Sequence, residues 1–391
     1  MQSNGGLTTS ETASKLPMHI IESGPAGGVI GSQAISKASG LENVITFDMG
    51  GTTAKTSMIA RGQVTRALDM QVGGGIMHGS RLMTGAGYAL KVPAIDLAEV
   101  GAGGGSILSI DAGGSLRAGP ESAGASPGPV CYDAGGENPT ITDANIILGY
   151  LNPNHLVGGA VKLNKEKATT VFKEKIAEPL GLPLEEAAYG AHLISASNMI
   201  RAIKAVSTER GRNPQNYSLF AFGGNGPLFA AGMADAIGIK QVIVPPSPGL
   251  FSSFGLLYAD VEHHYSRTFR RLLTAADPEE LTVAWEGLAK EAIDELNKEG
   301  FAGASAVIER SASLHYKGQI YELSVPAPSG NFDAKKLAEL SEIFGQEHEI
   351  VYGHRAGPEE PVELVNIAVI GRGIPDSSRV PDKLYADEAS R

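Results

Sequence analysis

Cysteine is nearly absent from this sequence, since Cys131 is the only one among 391 residues. A single cysteine excludes an intrachain disulfide and a cysteine-based zinc site, and it favours a reducing compartment. Long apolar runs are also missing, because no stretch reaches the roughly 20 apolar residues that a membrane-spanning helix needs. Residues 1–21 lack the basic segment and the apolar core of a signal peptide. We therefore expect a cytoplasmic protein that does not bind membranes.

Positive charge is scarce as well. The chain has 32 lysine and arginine residues against 43 aspartate and glutamate residues, and its formal net charge is −11. Nucleic-acid binding requires clustered basic side chains that neutralise phosphates, and no such cluster occurs, so no nucleic-acid partner is expected. Hydrophobic residues make up 42% and charged residues 19%, which is typical of globular proteins, and the length predicts two or three domains.

Glycine, by contrast, is abundant, with 50 residues where a usage of about 7% predicts about 27. The glycines gather beside apolar, strand-like segments, where the backbone must turn sharply or approach a ligand closely. One glycine-rich solution to phosphate binding is missing, because the P-loop pattern G-x-x-x-x-G-K-[ST] does not occur. Any phosphate-binding loop in this chain must therefore have another design.

The sharpest local motif connects two predicted strands. A β-branched and aromatic run at Val44–Phe47 stops at Asp48, and a second strand is predicted from Ala54 to Ile59. The connection offers a carboxylate, unobstructed backbone N–H groups, hydroxyl donors and an ammonium, in the residues Asp48, Gly50, Gly51, Thr52, Thr53 and Lys55. These are ligands for phosphate and Mg²⁺, with Asp48 as the candidate catalytic and metal-binding residue. The alternative is a β-hairpin whose tight turn needs glycine, and the residues alone leave both interpretations open.

A second glycine-rich turn follows the predicted strand Leu219–Phe222 and leads into an alanine-rich helix. The candidate nucleotide-binding residues of this turn are Gly223, Gly224, Asn225 and Gly226. Unpaired N–H groups and the positive end of the helix dipole can bind a nucleotide there. The spacing is not that of a dinucleotide fingerprint, and an ordinary strand-to-helix turn is the alternative. Because the Asp48 motif occurs in the same chain, we interpret both turns as parts of one nucleotide site.

The chain is predicted to have four segments. Residues 1–40 form a hinge or connecting helix, residues 41–266 a nucleotide-binding lobe with a loop-rich insertion at about 73–142, residues 267–375 a C-terminal α+β domain, and residues 376–391 a mobile tail. The boundary near residue 267 is placed where glycine becomes rare and a charged helix is predicted from Pro278 to Glu299.

Other candidate residues are interpreted as structural. His348 and His354 do not match the H-E-x-x-H zinc spacing and are predicted to lie on a solvated helix face. Cys131 has no adjacent histidine and is predicted to be a small buried residue rather than a nucleophile. Asp143 is predicted to orient a loop rather than a ligand.

Several ordered segments resemble the hydantoinase A/5-oxoprolinase family. They are MQSNGG (1–6), SGPAGGVIG (23–31), FDMGGTTAKTS (47–57), VGAGGGSI (100–107), PGPVCY (127–132), PTITDANIILG (139–149), FGGNGPL (222–228), PPSPGLFSSFGLLYADV (245–261) and HYKGQIYEL (315–323). The resemblance extends from Met1 to about Gly373. Asn225 and Phe229 depart from it, because small residues are often found at the first position in the family and histidine is common at the second.

The resemblance implies an α/β fold: the second lobe of an actin-like ATPase with RNase H-like architecture, a glycine-rich insertion and a smaller α+β C-terminal domain. In that fold ATP lies between two lobes, FDMGGTT is the second phosphate motif and FGGNGPL is the adenosine motif. Asp48 would anchor Mg²⁺, while Thr52, Thr53 and the glycines would hold phosphate oxygens. A first lobe normally precedes these segments, so we expect this chain to lack the N-terminal lobe.

The reaction that the resemblance implies is ATP-dependent opening of a cyclic amide such as 5-oxoproline, a hydantoin or a related lactam. Phosphoryl transfer to the amide oxygen creates a good leaving group, and water then opens the ring. Members often need a B subunit, so a hetero-oligomer is expected, and the chain alone should be inactive. One alternative is a subunit of an ATP-dependent acetone or acetophenone carboxylase, and another is a non-catalytic nucleotide-binding or assembly module without the first lobe.

Overall fold

The structure is a computed structural model that describes residues 1–67, 70–72, 77–78, 87–154, 159, 162–357 and 359–375. Its larger part has the helices α1 (Ser10–Lys15), α2 (Ser23–Ala38), α3 (Ile141–Ile147), α4 (Lys165–Phe172), α5 (Glu178–Leu180), α6 (Leu184–Val206), α7 (Gly226–Ile237) and α8 (Phe251–Gly255). Its strands are β1 (Val44–Met49), β2 (Ala54–Ala60), β3 (Gln63–Val64), β4 (Arg66–Ala67), β5 (Met70–Val72), β6 (Met77–His78), β7 (Tyr88–Leu90), β8 (Ala94–Ile95), β9 (Leu97–Val100), β10 (Ser106–Ile110), β11 (Leu116–Ser122), β12 (Ser218–Phe222) and β13 (Val242–Ile243).

A mixed sheet with the strand order β13-β12-β1-β2-β9-β6 forms the centre of this part, and β3 pairs with β2. β1, β12 and β13 are parallel, whereas β2 is antiparallel to both β1 and β9. The two strands predicted around the Asp48 motif are confirmed as β1 and β2. The strand and the alanine-rich helix predicted around the second glycine-rich turn are also confirmed, as β12 and α7.

The side chains of β1 alternate between the two faces of the sheet, because successive side chains of a strand point to opposite faces. They therefore belong to two separate hydrophobic cores. Ile45 and Phe47 join a hydrophobic core that includes buried residues of α3, α6 and α7. Val44 joins a second core with residues of α2 and α8. Asp48 lies four residues after Val44, so its side chain belongs to the α2–α8 face of the sheet.

The C-terminal part has four strands and two long helices: β14 (Val261–Leu272), α9 (Pro278–Lys298), β15 (Ala306–Tyr316), β16 (Leu323–Pro326), α10 (Ala334–Tyr352) and β17 (Val362–Gly373). The antiparallel strand order is β14-β17-β15-β16. Trp285 of α9 is fully buried against the sheet and stacks on Phe332 with a centroid distance of 4.7 Å. The charged helix predicted from Pro278 is confirmed as α9, which begins after the N-cap Asp277.

The predicted segment boundaries can be compared with these elements. β14 runs continuously from Val261 to Leu272 and so spans the boundary expected at residues 266–267. Most of residues 1–40 belong to α1 and α2, and α2 packs on the central sheet. The domain limits themselves stay predictions, and residues 376–391 and part of the loop-rich insertion lie outside the described residues. Within the described ranges, no helix is long and apolar enough to cross a bilayer.

Candidate nucleotide-binding site

The two glycine-rich turns lie side by side at one edge of the central sheet. β1 and β12 are parallel neighbours, and Asp48 pairs in register with Phe222, the last residue of β12. The carboxyl ends of parallel strands open onto the same edge, where α/β proteins place their ligands. The structure therefore brings together the candidate residues of segments 48–53 and 223–226, which are about 170 positions apart in the sequence.

Asn225 links the two turns directly. Its backbone N–H donates to the Met49 carbonyl at 2.9 Å, and its side-chain amide donates to the Gly50 carbonyl at 3.2 Å. A small apolar residue at this position could make only the first of these hydrogen bonds. Asn225 thus adds a contact between the turns, while a direct contact of Asn225 with nucleotide stays a prediction.

A third turn supports the first one from the insertion. The Gly104 N–H donates to the Gly50 carbonyl at 3.1 Å, and the Gly105 N–H donates to the Gly51 carbonyl at 2.6 Å. A Cβ added to Gly103 would lie 2.5 Å from the Gly51 backbone, so this packing requires glycine. These residues were not among the predicted site residues, although three consecutive glycines were the available signal.

Room for a phosphate remains above three of the candidate glycines. A Cβ added to Gly50, Gly51 or Gly224 would meet no heavy atom within 4 Å, and none of these residues has a positive φ. In the described part of the chain, no backbone carbonyl accepts a hydrogen bond from the N–H groups of Gly51, Thr52 or Gly224. β1 and β2 do form a hairpin, but the hairpin itself does not need glycine at positions 50 and 51. Open space and free N–H donors are the features that a bound phosphate requires.

Asp48 lies inside β1 rather than after it, and it pairs across the hairpin with Lys55. Its carboxylate is half-buried, and Oδ2 accepts a hydrogen bond from the Ser252 hydroxyl at 3.3 Å. Oδ1 faces the second turn, because a Cβ added to Gly223 would lie 2.5 Å from it. Burial raises the pKa of Asp48, and the Ser252 hydrogen bond and the Lys55 charge oppose this shift.

This donor set suits magnesium bound together with phosphates. Mg²⁺ keeps several waters and binds through one or two carboxylates plus substrate phosphates, not through an all-protein cage. The described residues accordingly contain Asp48 beside the open turn, but no group of three His, Cys, Asp or Glu residues that could hold a metal ion by itself.

Lys55 is occupied by two carboxylates on the protein. Its ammonium lies 2.6 Å from Glu22 and 3.4 Å from Glu99, and its side chain is 17% exposed. The hairpin predicted from the sequence places Lys55 opposite Asp48. The acidic partners of Lys55, however, lie at the N-cap of α2 and in β9. A contact between Lys55 and nucleotide stays a prediction and requires these ion pairs to rearrange.

A cavity of about 750 Å³ lies beside the turns rather than between them. Lys55, Glu22 and Glu99 form part of its wall, and residues of the C-terminal sheet complete it, but no residue of the two glycine-rich turns does. Its basic side chains are largely ion-paired, for example Arg210, whose guanidinium contacts Asp96 at 2.6 and 2.7 Å. The candidate nucleotide site is therefore defined by the two turns and not by this cavity.

The prediction that His348 lies on a solvated helix face is wrong. His348 is fully buried in α10, where Nδ1–H donates to the His354 carbonyl at 2.9 Å and Nε2 lies 3.0 Å from the Gln319 amide. The Tyr316 ring packs against it edge-on. The alternation of charged residues around His348 suggested exposure, and only the neighbouring strand and loop create its burial.

Cys131 and Asp143 behave as predicted. Cys131 is fully buried, and burial raises the pKa of its thiol, so the thiolate nucleophile is disfavoured. The Asp143 carboxylate accepts hydrogen bonds from the backbone N–H groups of Val130 at 3.1 Å, Cys131 at 2.7 Å and Thr140 at 2.8 Å. It therefore organises the 127–140 loop, as predicted.

Comparison with known proteins defines the class to which this fold and site belong. Residues 1–265 match the hydantoinase/oxoprolinase family, and residues 270–379 match the hydantoinase/oxoprolinase C-terminal domain. The caprolactamase subunit alpha of Pseudomonas jessenii is 36% identical over 95% of this chain and 52% of its own length. The acetone carboxylase beta subunit of Xanthobacter autotrophicus is 30% identical over 96% of this chain and 52% of its own length.

A solved structure agrees with these relatives. The crystal structure of the ATP-dependent caprolactamase from Pseudomonas jessenii superimposes with a TM-score of 0.81 at 34% identity, covering 98% of this chain and 54% of that one. The chain belongs to the hydantoinase/oxoprolinase family, as the ordered motifs of its sequence indicate. It spans about half the length of the curated relatives it matches.

Proposed function

We propose that this chain is the nucleotide-binding part of an ATP-dependent hydrolase that opens a cyclic amide such as 5-oxoproline, a hydantoin or a related lactam. The supporting observation is the convergence of two glycine-rich turns beside the Asp48 carboxylate, with open space above Gly50, Gly51 and Gly224. The similarity to a caprolactamase subunit supports a lactam as the substrate class. An actin-like arrangement, with ATP between this lobe and another, belongs to the same proposal.

The residues have distinct roles in this proposal. The N–H groups of Gly51, Thr52 and Gly224 donate to phosphate oxygens, and the hydroxyls of Thr52 and Thr53 add further donors. Asp48 holds Mg²⁺ directly or through water, and the ion neutralises phosphate charge. Bound Mg-ATP would supply the phosphoryl group to the amide oxygen, which activates the amide carbon toward water. After water adds, the C–N bond breaks and the ring nitrogen leaves as the protonated amine. A second water then hydrolyses the resulting acyl phosphate to the carboxylate and inorganic phosphate. The chain's own contribution is therefore positioning and charge stabilisation.

A partner subunit completes the enzyme in this proposal. The relatives reported above are named as subunits, and each is about twice as long as the part that matches this chain. We propose a B subunit of the hydantoinase/oxoprolinase type as the partner and the cytoplasm as the location. A ketone carboxylase subunit is the second candidate function, because the similarity to the acetone carboxylase beta subunit extends over 96% of this chain.

The two candidate functions are separated by measuring ATP hydrolysis in the assembled complex. We expect stimulation by 5-oxoproline, hydantoin or caprolactam, and none by acetone or acetophenone with bicarbonate. Stimulation by ketone and bicarbonate alone would replace the first proposal with the second. Asp48→Asn should abolish turnover in either case, and Asp235→Asn, on the exposed side of α7, is the matched control that should retain it.

A further inference from the structure

The glycine-rich segment SGPAGGVIG has no place in the nucleotide site, yet it forms the first half of α2. Two of its glycines face α8 at backbone contact distance. A Cβ on Gly255 of α8 would lie 1.8 Å from the Gly27 carbonyl oxygen, and a Cβ on Gly31 would lie 3.0 Å from the Gly255 Cα. The two helices therefore touch through their backbones, and any larger residue at the crossing would separate them.

This close contact determines where Ser252 of α8 lies. A Cβ on Gly27 would be 2.5 Å from the Ser252 carbonyl oxygen, and a Cβ on Gly28 would be 3.0 Å from the Ser252 hydroxyl. The same Cβ on Gly28 would lie 2.3 Å from the ring of Phe222, which ends β12 just before the second glycine-rich turn. Side chains on α2 would thus push α8 away from the carboxyl edge of the sheet.

Ser252 in its observed position donates to Oδ2 of Asp48 at 3.3 Å. The other carboxylate oxygen, Oδ1, faces Gly223 of the second turn. One oxygen is therefore held from the α8 side while the other is presented to the site where the two turns meet. A hydrogen bond to one carboxylate oxygen restrains rotation of the whole group and so restrains the direction of the other oxygen, because the two oxygens share a plane.

We propose that Ser252 is a positioning residue for Asp48, and that the glycine contact between α2 and α8 holds the Ser252 hydroxyl at this carboxylate. The inference rests on the proposed function, since it gives Asp48 a role toward magnesium and phosphate. It makes α2 and α8 part of the supporting shell of the site, although neither helix carries a residue of the two turns. Supporting shells of this kind keep a reactive group within a fraction of an ångström of its productive geometry.

The test uses four variants of the chain in its assembled complex: Asp48→Asn, Ser252→Ala, Ser252→Thr and Ser253→Ala. Ser253 is the neighbouring exposed serine of α8 and gives the matched control. Affinity for ADP is measured by calorimetry with Mg²⁺ and with EDTA, and kcat and KM for Mg-ATP are measured in parallel. Thermal unfolding of each variant shows whether α8 still packs.

We expect Ser252→Ala to weaken Mg²⁺-dependent ADP binding by about tenfold, the loss expected for one hydrogen bond to a charged group. Affinity in EDTA should equal that of the unmodified chain, Ser252→Thr should restore binding through its hydroxyl, and Ser253→Ala should change nothing. A merely structural role would instead weaken binding equally with and without Mg²⁺.

The outcomes separate the two proposals. If Asp48→Asn loses Mg²⁺-dependent binding while Ser252→Ala binds normally and folds normally, the positioning role is refuted and the proposed function stands. If Ser252→Ala loses the same ADP affinity with Mg²⁺ and with EDTA, the positioning role is also refuted. If Asp48→Asn binds Mg-ADP as well as the unmodified chain, the proposed role of Asp48 is refuted, and the positioning role that depends on it is refuted as well.

Discussion

Glu262→Gln is expected to destabilise the fold through the loss of one buried charge that joins the two parts of the chain. Glu262 is 4% exposed and lies near the start of β14. Its carboxylate contacts Arg66 at 3.2 and 3.3 Å, Arg372 at 3.1 Å and the His264 ring at 3.0 Å. Arg66 belongs to β4 in the larger part, and Arg372 belongs to β17 in the smaller one.

The magnitude follows from the pKa of this carboxyl group. Burial by itself raises the pKa of Glu262, but Arg66, His264 and Arg372 outweigh it and hold the pKa at about 2, against 4.5 for an unperturbed glutamate. Burial keeps the pKa of His264 below its usual value, and the neighbouring Glu262 carboxylate opposes this shift. A folded pKa of about 2 against an unfolded pKa of 4.5 corresponds to about 3 kcal/mol of stability at pH 7.

The pH dependence has a definite sign. Because the folded pKa is below the unfolded one, this contribution is complete above about pH 4.5 and is lost as the pH falls toward 2. The two pKa values predict that about 1 kcal/mol of this contribution remains at pH 3. The free energies of unfolding of the unmodified chain and Glu262→Gln should therefore approach each other by about 2 kcal/mol between pH 7 and pH 3.

Urea unfolding at both pH values measures this convergence. Effects of Glu262→Gln that do not involve charge are the same at each pH, so the change in the difference reports the ionised carboxylate together with its coupling to the His264 ring. Glu309→Gln is the control, because Glu309 contacts the same Arg372 at 3.2 Å with a side chain that is 40% exposed. Such an exposed pair contributes little to stability, so the unfolding free energies of Glu309→Gln and the unmodified chain should differ little at both pH values. If the unfolding free energies of the unmodified chain and Glu262→Gln differ by the same amount at pH 3 and pH 7, the stabilising role of the ionised carboxylate is refuted.

Two further predictions concern glycines that the fold treats differently. A Cβ added at Gly224 would lie in open space, so the free energy of unfolding of Gly224→Ala should match that of the unmodified chain within about 0.5 kcal/mol in thermal unfolding. Calorimetry of the same variant should show weaker ATP binding. Unchanged ATP binding would contradict the proposed position of the phosphate. Gly255→Ala forces α8 away from α2 and should lower the free energy of urea unfolding by about 1–3 kcal/mol. Gly232→Ala, in open space on α7, is the control and should be neutral or stabilising; equal stability of the two alanine variants would refute the requirement for helix contact.

Local sequence determined much of this protein, because turns and caps depend on neighbouring residues. The hairpin around the Asp48 motif and the turn after β12 were predicted from strand-forming runs followed by glycine, and α9 was predicted from the charged helical pattern that begins at Pro278. The family could also be recognised from ordered motifs, which need no coordinates. Even the proximity of the two turns follows in part, since parallel strands end at one edge.

Tertiary structure alone decided which partners the side chains meet. Ser252 lies 204 positions from Asp48 in the sequence, and Lys55 is bound by Glu22 and Glu99 from two other elements. His348 is buried although charged residues surround it in sequence. Nothing in a local pattern encodes these contacts, because each depends on how two elements cross and on the space left between them. The sequence thus determined where the backbone turns, and packing determined which groups meet there.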